Sequence, residues 1–70
     1  MNSNELKAAM ARHNDTQEKL AEFLGLQTSG VSARISGKID FRRSEINKIR
    51  ERYNLSDQET INIFFNEKVS

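Results

Sequence analysis

The chain of 70 residues contains no cysteine and no proline, and only three glycines. Without cysteine, neither a disulfide framework nor a thiolate metal site can supplement the core. Without proline, nothing breaks a helical pattern from within. No apolar run is long enough for a membrane span, and no signal-peptide pattern opens the sequence. Seventy residues make one small domain whose stability must come from helix packing, capping and association. These absences point to a cytoplasmic, all-α domain covering residues 1–70.

A strong charge of either sign is also missing, since the formal net charge is +1. That average hides a gradient. Residues 1–30 sum to −1 and residues 54–70 to −2, whereas residues 31–53 sum to +4. The basic side chains of the middle segment are Arg34, Lys38, Arg42, Arg43, Lys48, Arg50 and Arg52. Such a concentration fits either a phosphate-contacting surface or a solvated helix face with internal ion pairs.

The periodicity resolves into five helices. The first covers about Asn4 to His13 with Leu6 and Met10 inward, and Ser3 or Asn4 as its cap. The second starts at Asp15 or Thr16, and Asp15-x-x-Glu18 fits a capping box. The third runs from about Thr28 to Ser36 and stops at Gly37. The fourth begins near Arg43 or Ser44, carries Ile46, Ile49 and Tyr53 inward, and closes at Asn54. Phe41 anchors the loop before it. Ser56-x-x-Glu59 is a capping box that opens the fifth, whose apolar positions are Ile61, Phe64, Phe65 and Val69. That stripe can close the core beneath the first and fourth helices, or serve as a dimer or partner interface.

The most specific stretch is residues 16–35. Leu20, Ala21 and Leu24 make one apolar stripe, and Val31 and Ile35 make another at i, i+4 spacing. Between them Gly25 stands where the chain must turn sharply. Polar Gln27, Thr28, Ser29, Ser32 and Arg34 follow the turn. A helix backed firmly on one side, with short donors and acceptors on the other, suits the major groove of DNA. This spacing predicts a helix-turn-helix over about residues 16–36.

The chain resembles the Cro/phage-repressor class of helix-turn-helix proteins. The resemblance spans residues 5–55 and is most specific in Thr16-Gln17-Glu18-x-Leu20-Ala21-x-x-Leu24-Gly25 and Val31-Ser32. It implies a five-helix, lambda-repressor-like bundle and a Cro-like phage or prophage regulator in a bacterial host. By that resemblance Gln17 clamps a DNA phosphate, and Thr28, Ser29 and Ser32 occupy base-reading positions, with Ala33 near a thymine methyl. Gln27 departs from the usual Ser or Thr cap, which frees a long amide for adenine. Ser36, Lys38, Arg42 and Arg43 fall where the family contacts the sugar-phosphate backbone. Arg34 is expected to point outward to a guanine or phosphate. Gly30, which costs a helix about 1 kcal/mol relative to alanine, either lets the backbone approach DNA or is neutral.

The implied partner is a double-stranded operator, with weak dimerisation in solution or dimerisation on half-sites about one helical turn apart. The competing expectation is an antirepressor or antitoxin that uses the same fold to bind another phage regulator. Catalysis has no support. The single histidine, His13, lies at a helix end without a serine or carboxylate partner, and no metal-ligand spacing or cofactor motif occurs.

Overall fold

The computed structural model describes residues 1–65. It is helical, with no strand among the described residues. The elements are α1 (Ser3–Arg12), α2 (Gln17–Leu24), α3 (Thr28–Ile35), α4 (Arg43–Arg52) and α5 (Asp57–Thr60), which continues as a π-helical segment (Ile61–Phe65). No described helix is long and apolar enough to cross a membrane.

The helix starts follow capping chemistry. Asn2 caps α1 by accepting the Glu5 N–H at 3.2 Å, one position before the expected Ser3. Ser3 is occupied elsewhere, and its hydroxyl donates to the Ile35 carbonyl at 2.6 Å, joining α1 to the end of α3. Thr16 caps α2, while the Asp15 carboxylate turns towards α4 and takes no part in a box with Glu18. Ser56 and Glu59 form the expected reciprocal box, with bonds of 3.1 and 2.8 Å.

The helix ends share one device. Asn14, Gly25, Gly37 and Asn54 follow α1 to α4 in sequence, and all four have positive φ. In each case the next N–H reaches back five residues: Asp15 to Met10, Leu26 to Ala21, Lys38 to Ala33 and Leu55 to Arg50, at 2.8–2.9 Å. These are Schellman closures, which satisfy carbonyls that a helix end would otherwise orphan. They also turn the chain sharply enough for short helices to fold back on one another.

The core contains Leu6, Ala9 and Met10 of α1, Leu20, Ala21 and Leu24 of α2, and Val31 and Ile35 of α3. Phe41, Ile49, Tyr53, Leu55 and Ile63 complete it, with Ile46 half-buried at its edge. The last helix departs from the core reading of its apolar stripe, while the interface reading is untouched. Ile61 and Phe65 remain 48% and 52% exposed, Phe64 is half-buried, and the buried positions are Thr60 and Ile63. Thr60, Ile63 and Phe64 form the inward stripe at i, i+3, i+4 spacing. Thr60 is accommodated because its hydroxyl donates to the Ser56 carbonyl at 2.8 Å. Ile63 further holds the first residues, since its carbonyl accepts the Asn2 N–H at 2.7 Å. Val69 lies outside the described residues.

Candidate nucleic-acid interface

α2 packs chiefly on α3, and Gly25 makes the turn between them at φ +74°. Behind α3, Val31 and Ile35 are buried against Leu20, Ala21 and Leu24. On the other side Thr28, Ser32 and Ser36 recur at i, i+4 spacing and are exposed, with Ser29 exposed beside them. Ala33 is half-buried. The Ser36 hydroxyl donates to the Ala33 carbonyl at 3.0 Å, so it is partly engaged in ending its own helix.

Gln17 is the first residue of α2 and is half-buried. Its side-chain oxygen accepts a hydrogen bond from the Ser32 hydroxyl, which links the start of α2 to the middle of α3. The bond has a directional consequence. The Gln17 amide NH₂ stays free to donate outward, and Ser32 keeps an oxygen lone pair to accept. Gln27 precedes α3, is exposed and makes no capping bond with its side chain.

Arg34 corrects the sequence expectation. It does not point outward: it is 8% exposed, and its Nε donates to Glu45 Oε1 at 3.0 Å. A second donor, Nη2, lies 3.4 Å from Glu45 Oε2, and Nη1 donates to the Gly30 carbonyl at 3.0 Å. Three guanidinium donors are therefore engaged inside the protein, and at 8% exposure little of the group is left for a base or phosphate. Its partner Glu45 is 6% exposed and also accepts the Arg42 N–H at 2.9 Å. Burial alone would raise the Glu45 carboxyl, but the Arg42 N–H and the Arg34 guanidinium outweigh it and hold it below its ordinary value.

Gly30 is explained by the same cluster. A Cβ placed there would lie 3.3 Å from Arg34 Nη1, so the missing side chain makes room for the folded-back guanidinium. Neither the approach to DNA nor neutrality is needed to account for it.

Lys38 is exposed in the turn after α3, and Arg42 and Arg43 are exposed at the start of α4. The Arg42 side chain has no acceptor with which to cap α4, so only the returning half of a capping box is made, with Glu45 accepting the Arg42 N–H. Among the described residues, Lys38, Arg42, Arg43 and Lys48 make no ion pair, whereas Arg34, Arg50 and Arg52 each do. The basic segment is thus part structural brace and part available charge.

A second brace stands at the far end of α4. Arg52 donates to both Asp15 oxygens, at 2.8 and 3.0 Å, and the Tyr53 hydroxyl donates to the same carboxylate. The Arg52 hydrogen bond, chiefly, lowers the Asp15 carboxyl from 3.8 to about 2. Burial, with the Asp15 charge beside it, raises the Tyr53 hydroxyl well above its ordinary value. Arg52 also lies over the Phe23 ring, 4.7 Å from its centroid. His13 stacks on Tyr53 at 5.1 Å, a packing role at a helix end. Among the described residues no group of three histidine, cysteine or acidic side chains is placed to hold a metal.

The expected interface residues divide. Ile61 and Phe65 are exposed, while Phe64 sets its ring edge-on to Phe41 at 5.6 Å. Met1, Ile39, Phe41, Ile46, Phe64 and Phe65 contribute to the wall of a groove of about 530 Å³. Glu45, the buried partner of Arg34, is the residue that sequence reasoning missed. It accepts the Arg42 N–H three positions back, and its second role depends on Arg34, 11 positions earlier.

No family model, no curated protein and no solved structure matches this chain.

Proposed function

We propose that the chain is a sequence-specific, double-stranded DNA-binding transcriptional regulator of the Cro-like phage or prophage type. In this reading α2 and α3 form a helix-turn-helix within a lambda-repressor-like bundle, and α3 enters the major groove. The observation that carries it is the exposed row Thr28, Ser29 and Ser32 on a helix anchored from behind. The Gln17–Ser32 bond supports it by leaving an amide donor free at the amino end of α2, where a phosphate fits the helix dipole. Gln27 adds a long, uncommitted amide at the start of the reading helix. Lys38, Arg42 and Arg43 supply charge for the phosphate backbone. Because the reading side chains are short, base contacts through water are expected alongside direct ones.

The test is titration of the labelled chain with random and genomic duplex fragments at two salt concentrations. The regulator reading expects binding that weakens steeply with salt, and amide perturbations concentrated at residues 27–33. Absence of binding at low salt would overturn it. A specific observation also favours a second reading, an antirepressor or antitoxin that binds another regulator. Ile61 and Phe65 are exposed, and Phe65 lines the groove with Met1, Ile39 and Phe64, more apolar surface than a closed bundle needs. Perturbations confined to residues 61–65 on adding such a regulator, with none on adding DNA, would favour that reading instead.

A further inference from the structure

We infer that Arg34 is a positioning residue: through Glu45 it sets the start of α4, and with it the phosphate-facing Arg42 and Arg43, against the reading helix α3. The inference rests on the DNA-binding reading for its functional consequence, although the coupling itself does not.

Three observations converge on it. One guanidinium contacts two elements, donating to the Gly30 carbonyl within α3 and to Glu45 at the start of α4. The Glu45 Oε1 that receives Arg34 at 3.0 Å also receives the Arg42 N–H at 2.9 Å, so the two bonds share one atom. Finally, α3 carries a glycine where any larger residue would press on this guanidinium. A buried ion pair is weak evidence for stability, because desolvation offsets much of its attraction. Its geometric demand is strong, since a planar fork meets a carboxylate in few orientations. Arg42 has no acceptor of its own to cap α4 and no ion pair among the described residues. Its backbone is held in place by Glu45, and Glu45 by Arg34. The reading row and the phosphate grip are thereby fixed to each other across the loop of residues 36–42.

The experiment compares the full wild-type chain with Arg34→Met and Arg34→Lys, using a random-sequence duplex of about two helical turns. Hydrogen exchange of the Arg42 amide and the salt dependence of binding are measured on each. In Arg34→Met the Arg42 amide should exchange faster, affinity should fall about tenfold, and the salt slope should become shallower by about one phosphate contact. Arg34→Lys restores the charge but not the fork, so it should recover only part of both effects.

A role confined to stability would lower the thermal midpoint and leave the slope and the Arg42 amide unchanged in the folded variant. That result overturns the inference. If the wild-type chain itself leaves the duplex free at low salt, the DNA reading fails. The coupling then stands or falls on the Arg42 amide alone. Should Arg34→Met not fold, Arg34→Lys carries the test: a faster Arg42 amide and a shallower slope are expected, and unchanged values for both overturn the inference.

Discussion

The two ends of α4 are each tied to the rest of the protein by an arginine and a carboxylate, but the ties are built differently. At the start, Glu45 is on α4 and its arginine comes from α3; both side chains are more than nine-tenths buried. At the end, Arg52 is on α4 and the carboxylate comes from Asp15, just before α2. The Asp15 side chain is buried like that of Glu45, but the Arg52 side chain keeps 27% of its surface in solvent, so the two ends differ in their arginines. The first pair sits at the candidate grip for phosphates, and the second braces the α1–α2 corner. Depth of burial, more than the presence of an ion pair, decides how much each can contribute and how each fails. A buried charge that loses its partner has nowhere to be solvated, whereas a partly exposed one can turn to water.

The sharpest test of this contrast removes one carboxylate at a time. Glu45→Met leaves Arg34 charged in a dry site and also strips the Arg42 N–H of its acceptor. It should cost about 3 kcal/mol, from the usual penalty for breaking a buried pair. For a domain of this size that lowers the thermal midpoint by more than about 10 °C, measurable by circular dichroism. Arg34→Met/Glu45→Met should recover most of the loss, because no charge then remains buried. If the double variant is no more stable than the single one, depth of burial is not what separates the two ends.

The far end should fail in acid. The Asp15 carboxyl lies at about 2 in the folded chain against an ordinary value of 3.8. Between those values the unfolded chain binds the proton and the folded chain does not, so stability rises with pH there. The pair's contribution is present above about pH 4 and is lost as pH falls towards about 2. It amounts to about 2 kcal/mol, because each tenfold difference in proton affinity between the folded and unfolded chain is worth about 1.4 kcal/mol. Chemical denaturation of wild type and Asp15→Asn at stepped pH checks this. The wild-type curve should fall towards that of the variant below about pH 4, and parallel curves would contradict it.

Between the two ends lies the turn that defines the candidate reading unit. Gly25 has φ +74° with open space around it, so an added methyl meets no atom but must adopt a left-handed backbone. Gly25→Ala should therefore cost about 1–2 kcal/mol, from backbone strain alone. A thermal scan that shows no loss would mean that α2 and α3 can reach their relative placement by another turn.

Much of this arrangement is legible in the sequence, and the reason is locality. The stripes Leu20-Ala21-Leu24 and Val31-Ile35, the Gly25 turn and the Ser56–Glu59 box depend on neighbours within one or two turns, and the structure buries or bonds each as its spacing suggests. Arg34 was illegible for the opposite reason. Its position, three residues after Val31 and one before Ile35, is compatible with the inward face, but a charge there demands a partner from another element. Glu45 supplies it from the next helix, 11 positions further along the chain. Ile63 was hidden in a related way. Thr60 interrupts the apolar period of the last helix with a hydroxyl satisfied inside the turn, so Ile61 and Phe65 stood out as core or interface in place of Ile63, and they face solvent. The exposure of Thr28, Ser29 and Ser32 was legible in their positions, while the Gln17–Ser32 bond depends on how two helices meet.

Gly30 offers the smallest effect and the finest discrimination. In the wild-type chain Gly30→Ala gains about 1 kcal/mol of helix propensity. Against that gain, the new Cβ sits 3.3 Å from Arg34 Nη1, so the guanidinium must give by a few tenths of an ångström at its bond to the Gly30 carbonyl. The shift should offset part of the gain. In an Arg34→Met background the opposing contact is absent, and the same substitution should stabilise by the full amount, about 1 kcal/mol. The difference between the two backgrounds is a coupling energy read directly from a double-mutant cycle. Equal effects in both would mean that the glycine does not serve the buried pair, and the start of α4 would lose its distinction from the end.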